Sequence, residues 1–280
     1  MSEALLQKHA LAEFRAWSTK SPLSTEPRVT QLLNQGSGHT TMLVSADSDT
    51  GHDSFVLRYR THQSTSLGLS FKQEVACMGL AQAQGLAPEI VWLDEECQSM
   101  VIEFLQEPGS ISQVELANLT KSIHRLPPEM PTLNLQHQIE HYWQVAHERG
   151  NSASNLVSPC EPALGAAIKA LKSELPVTCH NDLTPPNIRR RNRDVVAIDW
   201  EYAATGSPHF EVATLCAGWP SMNTQSLALA ILGDRFSKPL LHIATHLYAA
   251  LNWNWHLAAG ETFEGEQSPK TLIQRLAANL

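Results

Sequence analysis

Apolar residues recur along this chain with two different periods, and the change of period divides it. The first segment, residues 2–18, has the 3.6-residue repeat of an amphipathic helix. Short alternating stretches follow near 28–34 and 40–46, and Ser54–Tyr59 alternates in the same way, so three strands are expected. A helix at 69–84, closed by Gly85, comes next, then two short strands at 90–93 and 100–104. From residue 110 the helical period dominates, with helices expected at 112–125, 134–149, 160–174, 207–218, 222–233, 238–259 and 269–279. A loop-and-strand segment at 177–200 interrupts them. Strands first and helices afterwards predict an α+β protein with segregated layers. The expected division is a sheet-rich lobe at 1–104 and a helix-rich lobe at 105–280, joined by a short connection near Glu103–Gly109.

Charge and composition narrow the function classes. The chain has 280 residues and a net charge of −8, which disfavours a general nucleic-acid binder. The cluster Arg189-Arg190-Arg191-Asn192-Arg193 is the main local exception and reads as a solvated turn between two strands. The cysteines, at 77, 97, 160, 179 and 216, are odd in number and contain no Cys-x-x-Cys pair. That pattern suits reduced thiols in a cytoplasm rather than a disulfide framework. No apolar stretch is long enough for a membrane span, and the N-terminus lacks the apolar centre of a secretory signal. The oligomeric state is not encoded in any pattern of this kind.

The chemistry concentrates in CHNDLTPPNI at 179–188 and IDWEYA at 198–203. His180, Asp182 and Asn187 stand as His-x-Asp-x-x-x-x-Asn, and Asp199 ends the apolar strand Val195–Ile198. Phosphoryl transfer needs a group to accept the proton of the acceptor hydroxyl, and ligands that hold magnesium against the phosphates. Asp182 is the expected proton acceptor, with Asn187 and Asp199 the metal ligands, in the order kinases use. Each residue alone is an ordinary loop residue; the spacing and the strand-loop-strand setting carry the argument.

The segment CHNDLTPPNI…IDWEYAATGSPHFEVA resembles the aminoglycoside phosphotransferase and choline kinase superfamily, with bacterial choline kinases and thiamine kinase as the nearer branches. The specific likeness covers about residues 178–215 and a weaker one most of the chain. Pro186 departs from it, since many members have Gly before the metal-binding Asn. The resemblance implies a protein-kinase-like, two-lobed fold in which ATP and Mg2+ lie between the lobes and a small-molecule hydroxyl is phosphorylated. In the first lobe Gly36-Ser37-Gly38 is the candidate phosphate turn. Arg58 sits where protein kinases carry Lys, with Glu74 as its partner on the following helix, and Glu103-Phe104-Leu105 is the candidate hinge for adenine.

Asn181 stands where many protein kinases have Arg, and the chain between Asp199 and the helix at 207 leaves no room for a long activation segment. A small-molecule acceptor is therefore expected rather than a protein. Glu201 and the late pair Trp253 and Trp255 are candidate recognition groups for a cationic alcohol of the choline or thiamine type. The two tryptophans lie about 200° apart around a helix, so only one can face a pocket. Tyr248, Asn252 and Trp255 share one face. An aminoglycoside or sugar acceptor is the alternative. A rival of another class is His137-x-x-Glu140-His141, the inverted zinc-protease pattern, whose two histidines share a helix face.

Overall fold

Alternation in the first hundred residues builds a sheet because it gives each strand one apolar face. In the computed structural model, which describes residues 3–35, 38–49, 51–261 and 268–280, the strands are β1 (Arg28–Gln35), β2 (His39–Ser48), β3 (Gly51–Arg60), β4 (Ile90–Asp94) and β5 (Ser99–Glu103). All neighbours are antiparallel, in the order β1-β2-β3-β5-β4. The edge strand β1 carries two register irregularities, a common way of blunting an edge.

Phe55, Leu57 and Tyr59 face one side of β3 and pack with Val44, Val91 and Val101 against helix α1 (Glu3–Ala12), through Leu6, Ala10 and Leu11, and against Trp17. Arg58 therefore points to the opposite side. After the short α2 (His62–Ser66) comes α3 (Phe71–Gln82), capped by the Ser70 hydroxyl. Its buried stripe is Phe71, Glu74, Cys77, Met78 and Ala81, so a carboxylate occupies a core position.

The chain forms two compact units, Met1–Glu107 with Arg189–Ile198, and Pro108–Ile188 with Asp199–Leu280. The first unit thus includes a segment that a single cut near residue 104 assigns elsewhere. Strands β7 (Ile188–Arg191) and β8 (Asp194–Ala197) pair around a turn where Asn192 is left-handed. Arg190 bridges to Gln106, and the Ala197 N–H donates to Leu86 O at 3.0 Å. Arg191 is not solvated as the arginine run suggests. Its guanidinium holds the Glu103 carboxylate at 2.5 Å and donates to the carbonyls of Gly85 and Ala87 at 3.1 and 2.9 Å. Only a planar multi-donor fork serves all three acceptors.

The second unit is built on helices α4 (Gln113–His124), α5 (Leu135–Glu148), α6 (Pro162–Lys172), α7 (Pro208–Gly218), α8 (Thr224–Leu232), α9 (Lys238–Ala259) and α10 (Pro269–Ala277). Most start where the sequence supplies a cap: Ser112, Asn134, Ser207, Asn223, Ser237 and Ser268 each accept a backbone N–H of the first turn. The long α9 packs against α5, α6, α7 and α10. Its buried Asn254 secures the α5–α6 connection by bonding both the N–H and the C=O of Val157 at 2.9 Å. Strands β6 (Val177–Cys179) and β9 (Ala204–Gly206) pair antiparallel. The loop after β6 carries Asp182, and Asp199 lies five residues ahead of β9. Among the described residues no helix is long and apolar enough to cross a membrane.

Candidate active site

The loop after β6 is fixed at both ends. At its start Asn181 adopts φ 64°, a left-handed conformation that Asn tolerates better than most residues. Its N–H donates to the Glu211 carboxylate of α7 at 2.7 Å, and its side-chain amide donates to Tyr202 O at 3.0 Å. The fully buried His180 accepts the Asp182 N–H and sets its ring edge-on to Trp200, with centroids 4.7 Å apart. At the far end the Trp219 indole donates to Leu183 O at 2.7 Å. A Cβ on Gly218 would lie 3.1–3.2 Å from Thr184, so the end of α7 approaches the loop closely because that position has no side chain.

Prolines 185 and 186 sit in a 3-10 turn, Pro185–Asn187, and the Asn187 N–H donates to Thr184 O at 2.9 Å. Pro at 186, the departure from the related sequences, fits this turn, which needs no N–H from it. The turn directs the Asn187 amide onto Asp182, donating to its carboxylate at 2.6 Å and its carbonyl at 3.0 Å. With the NH2 group so used, the Asn187 carbonyl oxygen is left for a cation. Asp199 is itself left-handed, at φ 66°. Strain of this kind in a non-glycine residue collects at functional sites.

Asp182 is half-buried, and its carboxyl is pushed up to about 7, first by desolvation and then by the negative charges of Asp199 and Glu201. Its Asn187 bond opposes that rise without reversing it. The donor set of Asn187 and Asp199 is hard oxygen, and the crowding of three carboxylates would be relieved by a divalent cation. Both observations fit magnesium. Glu211 is likewise pushed up, to about 8, by burial foremost.

Asp182 lines a cavity of about 140 Å3 with Tyr142, Tyr202, Phe210, Tyr248 and Trp255 among its walls. The α9 face bearing Tyr248, Asn252 and Trp255 borders it. Trp255 donates its indole N–H to the Tyr202 hydroxyl at 2.9 Å. Burial raises the phenols of Tyr142, Tyr202 and Tyr248, which stay neutral. Trp253 is turned away, buried with its N–H on Asn155 O at 2.8 Å. Glu201 is not in the lining; its charge acts on Asp182 and Tyr202. Tyr142, Tyr202 and Phe210, and the loop anchors Glu211 and Trp219, were not singled out by sequence as site residues. The signal available for Tyr142 was its place in an aromatic helix.

In the first unit Arg58 and Glu74 are both buried and form an ion pair at 2.8 Å. His39 completes it, 3.2 Å from the other Glu74 oxygen and 3.1 Å from the Arg58 guanidinium. Burial alone would raise Glu74, but Arg58 and His39 overcome it and hold the carboxyl down at about 2. Gly36 and Ser37 lie outside the described residues. Gly38 is buried and accepts from the Thr61 N–H at 3.1 Å. At the expected hinge, the Glu103 N–H is taken by Glu89 O and its side chain by Arg191, while Gln106 is bonded to Arg190. Phe104, exposed, and Leu105, buried, lie between them.

The zinc-protease pattern does not form a site. His137 and His141 stack on α5 with centroids 6.1 Å apart, and Glu140 accepts the Gln136 amide. With Glu140 so engaged, the three do not converge as a ligand group.

Among curated proteins the chain is similar to a LicA homologue of Mycoplasma capricolum, 28% identical over 127 residues, or 45% of this chain; the match spans about half of that relative's length. Among solved structures it resembles choline kinase LicA of Streptococcus pneumoniae, at 15% identity and TM-score 0.66 over 99% of each chain. It also resembles the ADP-bound aminoglycoside phosphotransferase APH(2'')-Ib, at 14% identity and TM-score 0.58 over 99% of this chain and 97% of that one. At such identities these likenesses establish the fold, a kinase-like one with an antiparallel sheet ahead of a helical region. The sequence model of the phosphotransferase enzyme family (APH) matches residues 29–244, and the chain belongs to that family.

Proposed function

We propose that this phosphotransferase is an ATP-dependent kinase of small cationic alcohols, of which choline is the type. The observation that carries the reading is Asp182, half-buried in the wall of an aromatic cavity with its carboxyl pushed up to about 7. A base of that pKa is matched to taking a hydroxyl proton near neutral pH. The neutral rings of Tyr202, Tyr248 and Trp255 offer electron-rich faces to an onium group, and Asp182 is the only acidic residue of the lining. An aminoglycoside presents several ammonium groups to be matched by carboxylates, and the lining supplies one. Thiamine, also a cation with a primary hydroxyl, is the second reading on the same chemistry.

In this mechanism Asp182 accepts the proton as the hydroxyl oxygen attacks the γ-phosphorus in line, and the bond from that phosphorus to the bridging oxygen breaks with ADP as the leaving group. Asn187 orients Asp182 through its NH2 and, with Asp199, would hold magnesium. When bound, that ion neutralises charge on the phosphate oxygens. Arg58, fixed by Glu74 and His39, is the candidate phosphate contact of the first unit, and Phe104-Leu105 the adenine contact. A cytoplasmic location goes with the use of ATP.

The test is ADP release with choline, its neutral carbon isostere 3,3-dimethylbutanol, thiamine and kanamycin. A desolvated cation–π contact of about 2 kcal/mol is roughly thirtyfold in affinity. The isostere should therefore show a KM at least about tenfold above that of choline, and Trp255→Leu should remove most of the difference. Equal use of the isostere would sink the cationic-alcohol reading.

A further inference from the structure

His9, Asp94 and Cys97, none of them given a role above, meet on the first unit. His9 lies on α1 beside the stripe that packs on the sheet, and its Nε2 is 2.9 Å from Asp94 Oδ2. Asp94 ends β4, and the turn Asp94–Gln98 leads into β5. The other Asp94 oxygen accepts the Cys97 N–H at 2.9 Å, which folds the turn back over the carboxylate. Gln98, next in line, is left-handed at φ 48°, so the turn is held in one particular shape. Cys97 packs against the sheet core rather than projecting freely, and Trp92 bounds the imidazole edge-on, with centroids 6.1 Å apart.

One nitrogen, one carboxylate oxygen and one sulfur thus lie within 4.8 Å of one another. We propose that these three side chains form a binding site for a zinc-class divalent cation that ties α1 to the β4–β5 turn. Tetrahedral ligands at about 2.0–2.3 Å from zinc stand roughly 3.3–3.8 Å apart, so the His9–Asp94 pair, now at 2.9 Å, opens slightly to admit the ion while the sulfur stays within the same 4.8 Å. The mixed N, O and S set selects zinc, cobalt(II) or copper over magnesium and calcium, which prefer oxygen. Two ligands are preorganised by one turn of chain, and the third comes from a helix already packed on the sheet. The fourth position opens to solvent on the His9 side, where the side chain is 42% exposed.

The proton balance is simple. On coordination a neutral His9 gives its Nε2 lone pair to the metal and carries its ring proton on Nδ1, a change of tautomer that releases no proton. The Cys97 thiol gives its proton to solvent, so one proton leaves per metal bound.

The experiment uses the full chain, reduced and stripped with a chelator, titrated with Co2+ and then with Zn2+. Expected are one Co2+ per chain with a thiolate-to-cobalt absorption band, its displacement by Zn2+ but not by excess Mg2+, and a rise of a few degrees in Tm. Cys97→Ser should abolish the band and His9→Gln weaken binding at least about tenfold, while Cys160→Ser should change neither. In the unmodified protein, where folding is not in question, Zn2+ should slow alkylation of Cys97 as mapped by mass spectrometry. Absence of the band, its persistence in Cys97→Ser, or alkylation of Cys97 indifferent to Zn2+ would each overturn the site. None of these readings depends on catalytic activity.

Discussion

Two carboxylates, the buried Glu74 of one unit and the half-buried Asp182 of the other, are driven in opposite directions. Glu74 is held at about 2 and Asp182 is raised to about 7. Burial pushes both upward, so burial does not decide the outcome; the neighbours do. Around Glu74 stand Arg58 and His39; around Asp182 stand Asp199 and Glu201. The first arrangement fixes a charge permanently and suits an anchor. The second leaves a group at the edge of ionisation and suits a proton acceptor. The same family motif set thus divides into a buried ion pair and a carboxyl held at the edge of ionisation.

The strongest way to break the comparison is at Asp182. Asp182→Asn keeps an acceptor for the Asn187 amide but removes the base, so kcat should fall by about 10^2–10^4-fold while ATP affinity changes little. Removing one of three crowded negative charges should also leave Tm unchanged or raise it. Near-normal turnover, or a clear fall in Tm, would mean that Asp182 is structural. The counterpart is Arg58→Met, which strands the Glu74 charge in the core. Breaking a buried pair costs about 3–5 kcal/mol, or a drop in Tm on the order of 10 °C for a chain of this size. Adding Glu74→Leu should restore most of the stability and none of the nucleotide affinity. A single-variant loss under 1 kcal/mol would show that the pair is effectively solvated.

Much of this division was legible in the sequence. The candidate catalytic loop is a linear motif, and its three groups, Asp182, Asn187 and Asp199, lie within 18 consecutive residues in a strand-loop-strand frame. Glu74 is legible as the partner of Arg58 because it lies on the helix that follows the Arg58 strand. Helix starts followed the capping serines and asparagines. The cavity walls were less accessible, because Tyr142, Tyr202, Phe210 and Trp255 come from separate elements and no local period states which elements face one another. Helical geometry limited Trp253 and Trp255 to one pocket residue between them, but only packing could choose Trp255. Arg191 was hidden for the same reason: its partner Glu103 is 88 residues away. The Asp94 turn could not reveal His9 either, since α1 is brought to it by the sheet.

The finest distinction concerns a third carboxylate. Glu211 resembles Asp182 in being raised, but it faces the backbone of the loop and has no access to the cavity lining. Its carboxyl moves from an ordinary 4.5 to about 8, with burial as the main cause. Between those values the folded protein keeps a proton that the unfolded chain releases. Stability from this group is therefore complete below about 4.5 and declines until about pH 8, with a slope of at most about 1.4 kcal/mol per pH unit. Glu211→Gln removes the titration while keeping an oxygen for the Asn181 N–H. Thermal denaturation at pH 5.5 and 8 should show a smaller difference for the variant than for the parent, with the variant relatively more stable at pH 8. Turnover should fall less than in Asp182→Asn, because the loop keeps its anchor. If the two proteins lose stability in parallel as the pH rises, Glu211 is ionised throughout, and its resemblance to Asp182 ends at burial.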